Sequence, residues 1–300
     1  MEKFNKIVVV EPVLLNEWGY GQLSRFGRQV VVYDGNSPDD AETRRRIADA
    51  DCILVSYRTS VPAAVLEDCP DLRFISLCCS YYGARFAKVA TERATELGIG
   101  FASLRGHGDN GVVEYTLSQV INLLQGVGGR RWRQQPYDLT GVKVGVLGLG
   151  DLGYKVACAF NALGAPVWYY SRTRKRELEH ERLQYLDLPD LLRQCDVVSV
   201  NLNRDVCLLD GETLPLFSPN RILVNSAVGR CCDPAALSRW LETPDNFYVF
   251  DQVSLSPETE QLIGRDNVIY AGHITGDTLQ CIDRATDQIL HNLETFLREH

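Results

Sequence analysis

Residues 141–176 read GVKVGVLGLGDLGYKVACAFNALGAPVWYYSRTRKR, and this stretch constrains the fold more tightly than any other. Residues 142–147 form a short apolar, mostly β-branched run, the composition of a strand buried on both faces of a parallel sheet. It leads directly into Gly148-Leu149-Gly150-Asp151-Leu152-Gly153, with glycines at the spacing G-x-G-x-x-G. Residues 154–163 then follow an amphipathic helical pattern closed by Gly164, and 166–170 give a second apolar strand. In such a βαβ unit Gly148 permits the tight turn, Gly150 lets backbone N–H groups approach a pyrophosphate, and Gly153 lets helix and strand pack closely. The helix N-terminus then faces the anion. The whole run, including Leu149, Asp151 and Leu152 between the glycines, is the expected dinucleotide-binding turn.

The end of the second strand selects the dinucleotide. A carboxylate there would hold the ribose 2′-hydroxyl of NAD. The chain instead reads Ser171-Arg172-Thr173-Arg174-Lys175-Arg176, with no carboxylate before Glu177. A hydroxyl and up to four cations suit a 2′-phosphate, because guanidinium forks match phosphate oxygens. Ser171, Arg172, Thr173 and Arg174 are the expected contacts, with NADP(H) preferred and NAD(H) the alternative.

Elsewhere strands and helices alternate. Apolar runs at 6–10, 29–33, 52–56, 74–77 and 100–103 predict strands, separated by helical patterns at 16–26, 39–50, 62–68 and 86–97. A helix over 111–124 leads into the polar, glycine-containing segment 125–137, read as a crossing between domains. Beyond 176, helices are expected at 188–195 and 234–241 and strands at 197–202, 221–225, 247–251 and 268–270. A closing helix over 278–298 places Ile282, Ile289, Leu293 and Leu297 on one face and is expected to return to the first domain. This order predicts an α/β protein of two doubly wound, Rossmann-like parallel-sheet domains with a cleft between them. Residues 1–110 plus 275–300 would form a flavodoxin-like substrate domain, and 111–274 the dinucleotide-binding domain.

Charge and cysteine usage narrow the surroundings. With 39 acidic and 31 basic side chains the net charge is −8, which argues against nucleic acid or an anionic membrane as partner. No apolar stretch approaches a membrane span, and Met1-Glu2-Lys3-Phe4-Asn5-Lys6 lacks a signal-peptide core, so a cytoplasmic location is expected. Ten cysteines include the adjacent pairs Cys78-Cys79 and Cys231-Cys232 but no C-x-x-C. They read as reduced, mostly buried residues, with no metal site expected.

The element order, GLGDLG, the segment Ile222-Leu223-Val224-Asn225-Ser226-Ala227-Val228-Gly229, Asp233, Ala236-Leu237 and His273 within GHITGDT together resemble the D-isomer-specific 2-hydroxyacid dehydrogenases, over nearly the whole chain. Glu114 sits where that family has a glutamate opening its long interdomain helix. The resemblance implies a nucleotide domain inserted into a substrate domain, nicotinamide-dependent reduction of a small 2-keto acid, and a homodimer. It implies Asn201, Leu202, Ala227, Val228, Asp251 and His273 as further cofactor contacts, with His273 as acid/base. A histidine suits that role because its ordinary pKa lies near neutrality. The stretch between Leu124 and Gly141 is shorter than the family's dimerisation arm, which implies an altered dimer interface.

Two of the family's three chemical positions differ. Val228 stands where the family has an arginine, and Ser256 where it has a glutamate. The substrate loop reads Leu77-Cys78-Cys79-Ser80-Tyr81-Tyr82-Gly83-Ala84 in place of a glycine-rich turn, and Arg105-Gly106-His107-Gly108-Asp109-Asn110 occupies the second crossing. Cys79, Ser80, Tyr81, Arg105, His107 and Arg230 are accordingly the expected substrate contacts. The reading that follows is hydride transfer to an atypical substrate, a carbonyl, imine or activated double bond, with His273 as acid/base. Val228 suits an iminium better than arginine would, because the iminium is itself positive. The alternatives are a catalytically silent dinucleotide-binding sensor or scaffold, and thiol chemistry at Cys79 or Cys232.

Overall fold

The structure, a computed structural model, describes residues 2–84, 87–204 and 206–300. It divides into two compact units, one made of Met1–His107 with Thr278–His300 and the other of Gly108–Asp277.

In the first unit β1 (Phe4–Val9), β2 (Gly27–Val32), β3 (Cys52–Val55), β4 (Phe74–Ser80) and β5 (Gly100–Leu104) pair in parallel, in the order β2-β1-β3-β4-β5. Because successive strand residues point to opposite faces, Ile7 and Val9 enter one core and Val8 and Val10 the other. Helices α2 (Asp40–Ile47), α3 (Ala63–Glu67) and α4 (Thr91–Glu96) contribute Ile47, Val65, Leu66 and Ala94 to the second core. The first core is covered by α1 (Glu17–Gln22) with its following turn, and by the closing helix α10 (Leu279–Glu299), which buries Ala285, Ile289, Leu293, Phe296 and Leu297. Phe296 stacks on Phe74 and Phe4, with ring centroids 4.4 and 5.6 Å apart. Phe86, where a helix is expected to begin, lies outside the described residues. The helix that forms is confined to α4 because Val89 pairs with Val61: Val61 donates to the Lys88 carbonyl and Ala90 to that of Val61, so this stretch is extended.

The second unit is a seven-stranded parallel sheet. Its strands are β6 (Val144–Leu147), β7 (Val167–Tyr170), β8 (Leu183–Tyr185), β9 (Val197–Val200), β10 (Ile222–Asn225), β11 (Phe247–Phe250) and β12 (Val268–Tyr270), ordered β12-β11-β10-β9-β6-β7-β8. Helices α5 (Asp109–Gln125) and α6 (Asp151–Ala162) flank it, as do α7 (Leu188–Gln194), α8 (Pro234–Trp240) and the single turn α9 (Pro257–Glu260). Segment 125–137 is not a crossing: it folds back onto this unit. Trp132 is 2% exposed, its indole N–H donates to the Asn220 carbonyl and its backbone N–H to that of Leu123. The aromatic side chain outweighs the polar composition of its neighbours. Strand β8, absent from the sequence reading, adds an edge beside β7. Among the described residues no helix is long and apolar enough to cross a membrane.

Candidate dinucleotide and active site

Register decides which residues leave the sheet together. Leu147 lies opposite Tyr170 and Val200, Asn225 opposite Val200 and Phe250, and Phe250 opposite Tyr270. Gly148, Ser171, Asn201, Ser226, Asp251 and Ala271 therefore emerge along one carboxyl edge. The winding reverses between β9 and β6, the kind of switch point at which open α/β sheets bind ligands.

At that point the glycine turn is sterically determined. Gly148 has φ +90°, and a Cβ there would lie 2.6 Å from the Asn201 carbonyl oxygen. A Cβ on Gly153 would lie 1.9 Å from the Gly148 carbonyl oxygen, so helix and strand meet through glycine alone. Gly150 is the N-cap of α6 with no side-chain cap, and a Cβ there would meet nothing within 4 Å. The first N–H groups of a twelve-residue helix are thus left for an outside acceptor, beside open space. This arrangement fits a dinucleotide diphosphate. Asp151 is exposed in the first turn, whereas Leu149 is buried and Leu152 packs on the same core, so these two offer the turn their backbone and not their side chains.

The strand after this helix ends in a structured basic loop. Ser171 Oγ donates to the Thr173 carbonyl at 2.6 Å, while Arg172 and Thr173 are exposed. Arg174 is committed elsewhere: its Nε and Nη2 fork onto Glu179 at 2.7 and 2.6 Å, and its guanidinium lies 5.2 Å from the Tyr185 ring centre. Tyr169 donates a further hydrogen bond to Glu179. The Arg174 hydrogen bonds hold the Glu179 carboxyl down to about 2. A carboxylate absent from the strand end thus reaches it from nine residues further along, through a contact that strand periodicity does not announce.

The ends of β11 and β12 hold the acid–base candidates. His273 is exposed, and its Nδ1 lies 2.9 Å from the Ala271 carbonyl oxygen. Asp251 is buried; its Oδ2 accepts from Thr275 Oγ1 at 2.7 Å and Thr275 N at 3.1 Å, and its Oδ1 from Val253 N. Burial pushes this carboxyl up, opposed by those hydrogen bonds and by the neighbouring His273. Burial pushes the Tyr115 phenol up, with the nearby Asp251 adding to it, and the Tyr115 hydroxyl donates to the Phe250 carbonyl. Ser256 caps α9: its Oγ accepts from Thr259 N, and Thr259 Oγ1 accepts in return from Ser256 N. Val228 is half-buried, and the following Gly229 is tied by its N–H to the Val253 carbonyl. Arg230 is exposed near Glu258, whose carboxyl is lowered first by Ser256 and also by that guanidinium.

Sequence reasoning did not single out Ser226, Ser254 or Thr275. Ser254 Oγ donates to the Ala227 carbonyl at 2.8 Å, and Asn225 Oδ1 accepts from Ala227 N, so the 225–228 turn is held from both sides. Among the described residues, Ser226 Oγ and Asn201 Oδ1 are two of the buried polar atoms without a hydrogen-bond partner, and both lie at this carboxyl edge. Asn201 Nδ2 is occupied by Ser199, and Leu202 follows half-buried.

The expected substrate contacts are divided between the units. Cys79, Ser80 and Tyr81 lie half-buried at the end of β4, with the Tyr81 hydroxyl 3.0 Å from Thr91 Oγ1. The backbone of Arg105 is clasped by Gln288, which accepts from its N–H and donates to its carbonyl, and the His107 carbonyl accepts from Arg284 Nε. These five belong to the first unit and Arg230 to the second.

Residues 116–275 match the family model described as the D-isomer specific 2-hydroxyacid dehydrogenase NAD-binding domain. A hydroxypyruvate reductase of Blautia hydrogenotrophica is 27% identical, over 98% of this chain and 97% of its own, and a glyoxylate reductase of Aeropyrum pernix is 28% identical, over 89% and 86%. Among solved structures, an acyclic imino acid reductase in complex with NADPH and D-Arg superposes with a TM-score of 0.82 at 18% identity, covering 98% of this chain and 97% of that one. D-lactate dehydrogenase from Aquifex aeolicus, complexed with NAD and lactic acid, superposes with a TM-score of 0.78, also at 18% identity and covering 98% and 96%. The glycine turn, the uncapped helix and the carboxyl-edge loops are thus those of a nicotinamide-dinucleotide-binding domain, and the chain belongs to the D-isomer-specific 2-hydroxyacid dehydrogenase family of NAD(P)-dependent oxidoreductases.

Proposed function

We propose that this protein is an NADP(H)-dependent reductase of a C=O or C=N substrate that does not rely on a guanidinium at position 228, with His273 Nε2 as the proton donor. The observation that carries this reading is the anchoring of Nδ1. A carbonyl oxygen only accepts, so Nδ1 bears the proton shared with Ala271, and Nε2 is the ring nitrogen left to exchange one. The backbone N–H groups opening α6 would hold the diphosphate, Ser171, Arg172 and Thr173 the 2′-phosphate, and Asn201, Leu202, Ala227 and Val228 the nicotinamide side. When bound, the dinucleotide supplies the hydride. Asp251 does not reach outward in this reading. Its carboxylate fixes Thr275, two residues beyond His273, and thereby the strand end that aims the imidazole.

In the donating form His273 gives the Nε2 proton to the substrate heteroatom and keeps the Nδ1 proton on Ala271. Val228 and Ser256 remove, respectively, a fixed cation and a fixed anion from the surroundings of this step. An iminium carries its own positive charge, so an apolar side chain at 228 spares it a repulsion. The similarity to a reductase complexed with NADPH and D-Arg supports the C=N branch, and that to glyoxylate and hydroxypyruvate reductases the C=O branch. The capping role of Ser256 favours a second reading, a dinucleotide sensor without turnover, since it gives that residue a structural purpose of its own.

The test is titration with NADPH and NADH followed by panels of cyclic imines, aldehydes and 2-keto acids. Expected are tighter binding of NADPH and its oxidation by one panel. In His273→Asn, affinity for NADPH should stay within about twofold while turnover falls by roughly 10²–10⁴. Full turnover in that variant would remove the role of His273, and binding without oxidation by any panel would move the weight to the sensor.

A further inference from the structure

Side chains of successive residues ordinarily diverge in extended chain, yet the sulfurs of Cys231 and Cys232 lie 3.3 Å apart. Both residues are buried, at 1% and 5% exposure. The backbone holds them in this arrangement: Leu209 N donates to the Cys231 carbonyl and Asp233 N to the Leu209 carbonyl, a single bridge that pins the pair outside the main sheet. A third thiol, Cys207, is exposed on the facing segment, with its Sγ 3.7 Å from the Leu209 carbonyl oxygen. Among the described residues no group of three His, Cys, Asp or Glu side chains is placed to hold a metal ion. The pair therefore offers two sulfurs within reach of each other and no third ligand.

We propose that Cys231 and Cys232 form a modification site at which a small hydroperoxide closes the two thiols to a vicinal disulfide. The Cys231 thiolate attacks one peroxide oxygen and the O–O bond breaks, leaving Cys231 as a sulfenic acid and releasing hydroxide, which takes up the proton that Cys231 had lost. The Cys232 sulfur then displaces the hydroxyl from that sulfur. The S–S bond forms, and the hydroxyl leaves as water with the Cys232 proton. Two thiols lose two electrons, and one hydrogen peroxide becomes two waters. The Cys231 sulfur and burial push the Cys232 thiol well up, which favours Cys231 as the sulfur that attacks first. Ring closure must turn the peptide between the two residues, and so bears on the Leu209 bridge and on the 225–230 turn that immediately precedes the pair.

The experiment treats the full chain with hydrogen peroxide, alkylates the remaining thiols, and maps peptides by mass. The expected result is a peptide containing both cysteines that is lighter by two hydrogens, resists alkylation, and recovers both thiols with dithiothreitol. Cys231→Ser and Cys232→Ser should abolish that species, and Cys207→Ser should leave it unchanged. A cross-link joining Cys207 to either residue, or a wild-type pair that remains fully alkylatable, would overturn the proposal. The wild-type map decides this without depending on how the variants fold.

Discussion

The two units share a doubly wound parallel sheet but treat its carboxyl edge in opposite ways. After β1 the first unit places Glu11, wholly buried, whose carboxylate accepts from Ser56 N, Ser56 Oγ and Thr59 Oγ1 at 2.7–2.8 Å. Thr59 in turn accepts from Ser37 N, so the loops after β2 and β3 are tied to the same side chain. The short helix that follows is closed by Asn16, which accepts from Gly19 N. After β6 the second unit has glycine, open space, and a helix with no side-chain cap. One edge is satisfied by its own acceptors; the other presents donors that await one. Fold is common to both, and a single carboxylate marks which edge is closed to anions.

The largest way to break this contrast is Gly153→Val. Its Cβ would collide with the Gly148 carbonyl, so dinucleotide affinity should fall by at least about 100-fold, or ~2.7 kcal/mol. Unchanged affinity in a fluorescence titration would mean that the open edge is not the binding edge. Next is Glu11→Gln, whose amide oxygen can still accept from Ser56 but whose NH2 group is set against Thr59 Oγ1, which donates to the native carboxylate. A loss of about 1–3 kcal/mol in denaturant unfolding is expected, with dinucleotide affinity unaltered; a loss of affinity would show that the closed edge also serves the nucleotide. Smallest is Glu179→Gln, which releases Arg174. The preference for NADPH over NADH should rise by about two- to fivefold, the scale of an exposed ion pair. Because the Glu179 carboxyl is lowered from 4.5 to about 2, that ion pair is fully present above pH 4.5 and is lost as pH falls through 2. Carboxyl NMR shifts would follow it.

What was legible in the sequence was local. The apolar run of β6, the glycine spacing and the one-sided pattern of α10 each encode their own structure, because strand burial, a positive φ and helical periodicity are properties of neighbouring residues. Strand β8 escaped because three residues at a sheet edge, only Leu183 of them buried, carry no period. The expected 86–97 helix shrank because Val89 is claimed by Val61, and segment 125–137 came home because one tryptophan outweighs its polar neighbours. In the site, the carboxyl edge followed from the motif. The capture of Arg174 by Glu179, the helix-capping use of Ser256 and the hold of Thr275 on Asp251 depend on pairings across a turn or between strand ends, which spacing alone does not disclose.

Helix α10 has a consequence for biogenesis. The first unit's core closes only when Phe296 meets Phe4 and Phe74, and the whole of Gly108–Asp277 is synthesised between those rings. The second unit, continuous in the chain, can complete itself as it leaves the ribosome. The unit that starts first finishes last, and until α10 arrives Phe4, Phe74 and Cys78 lack the side chains of that helix that complete their core.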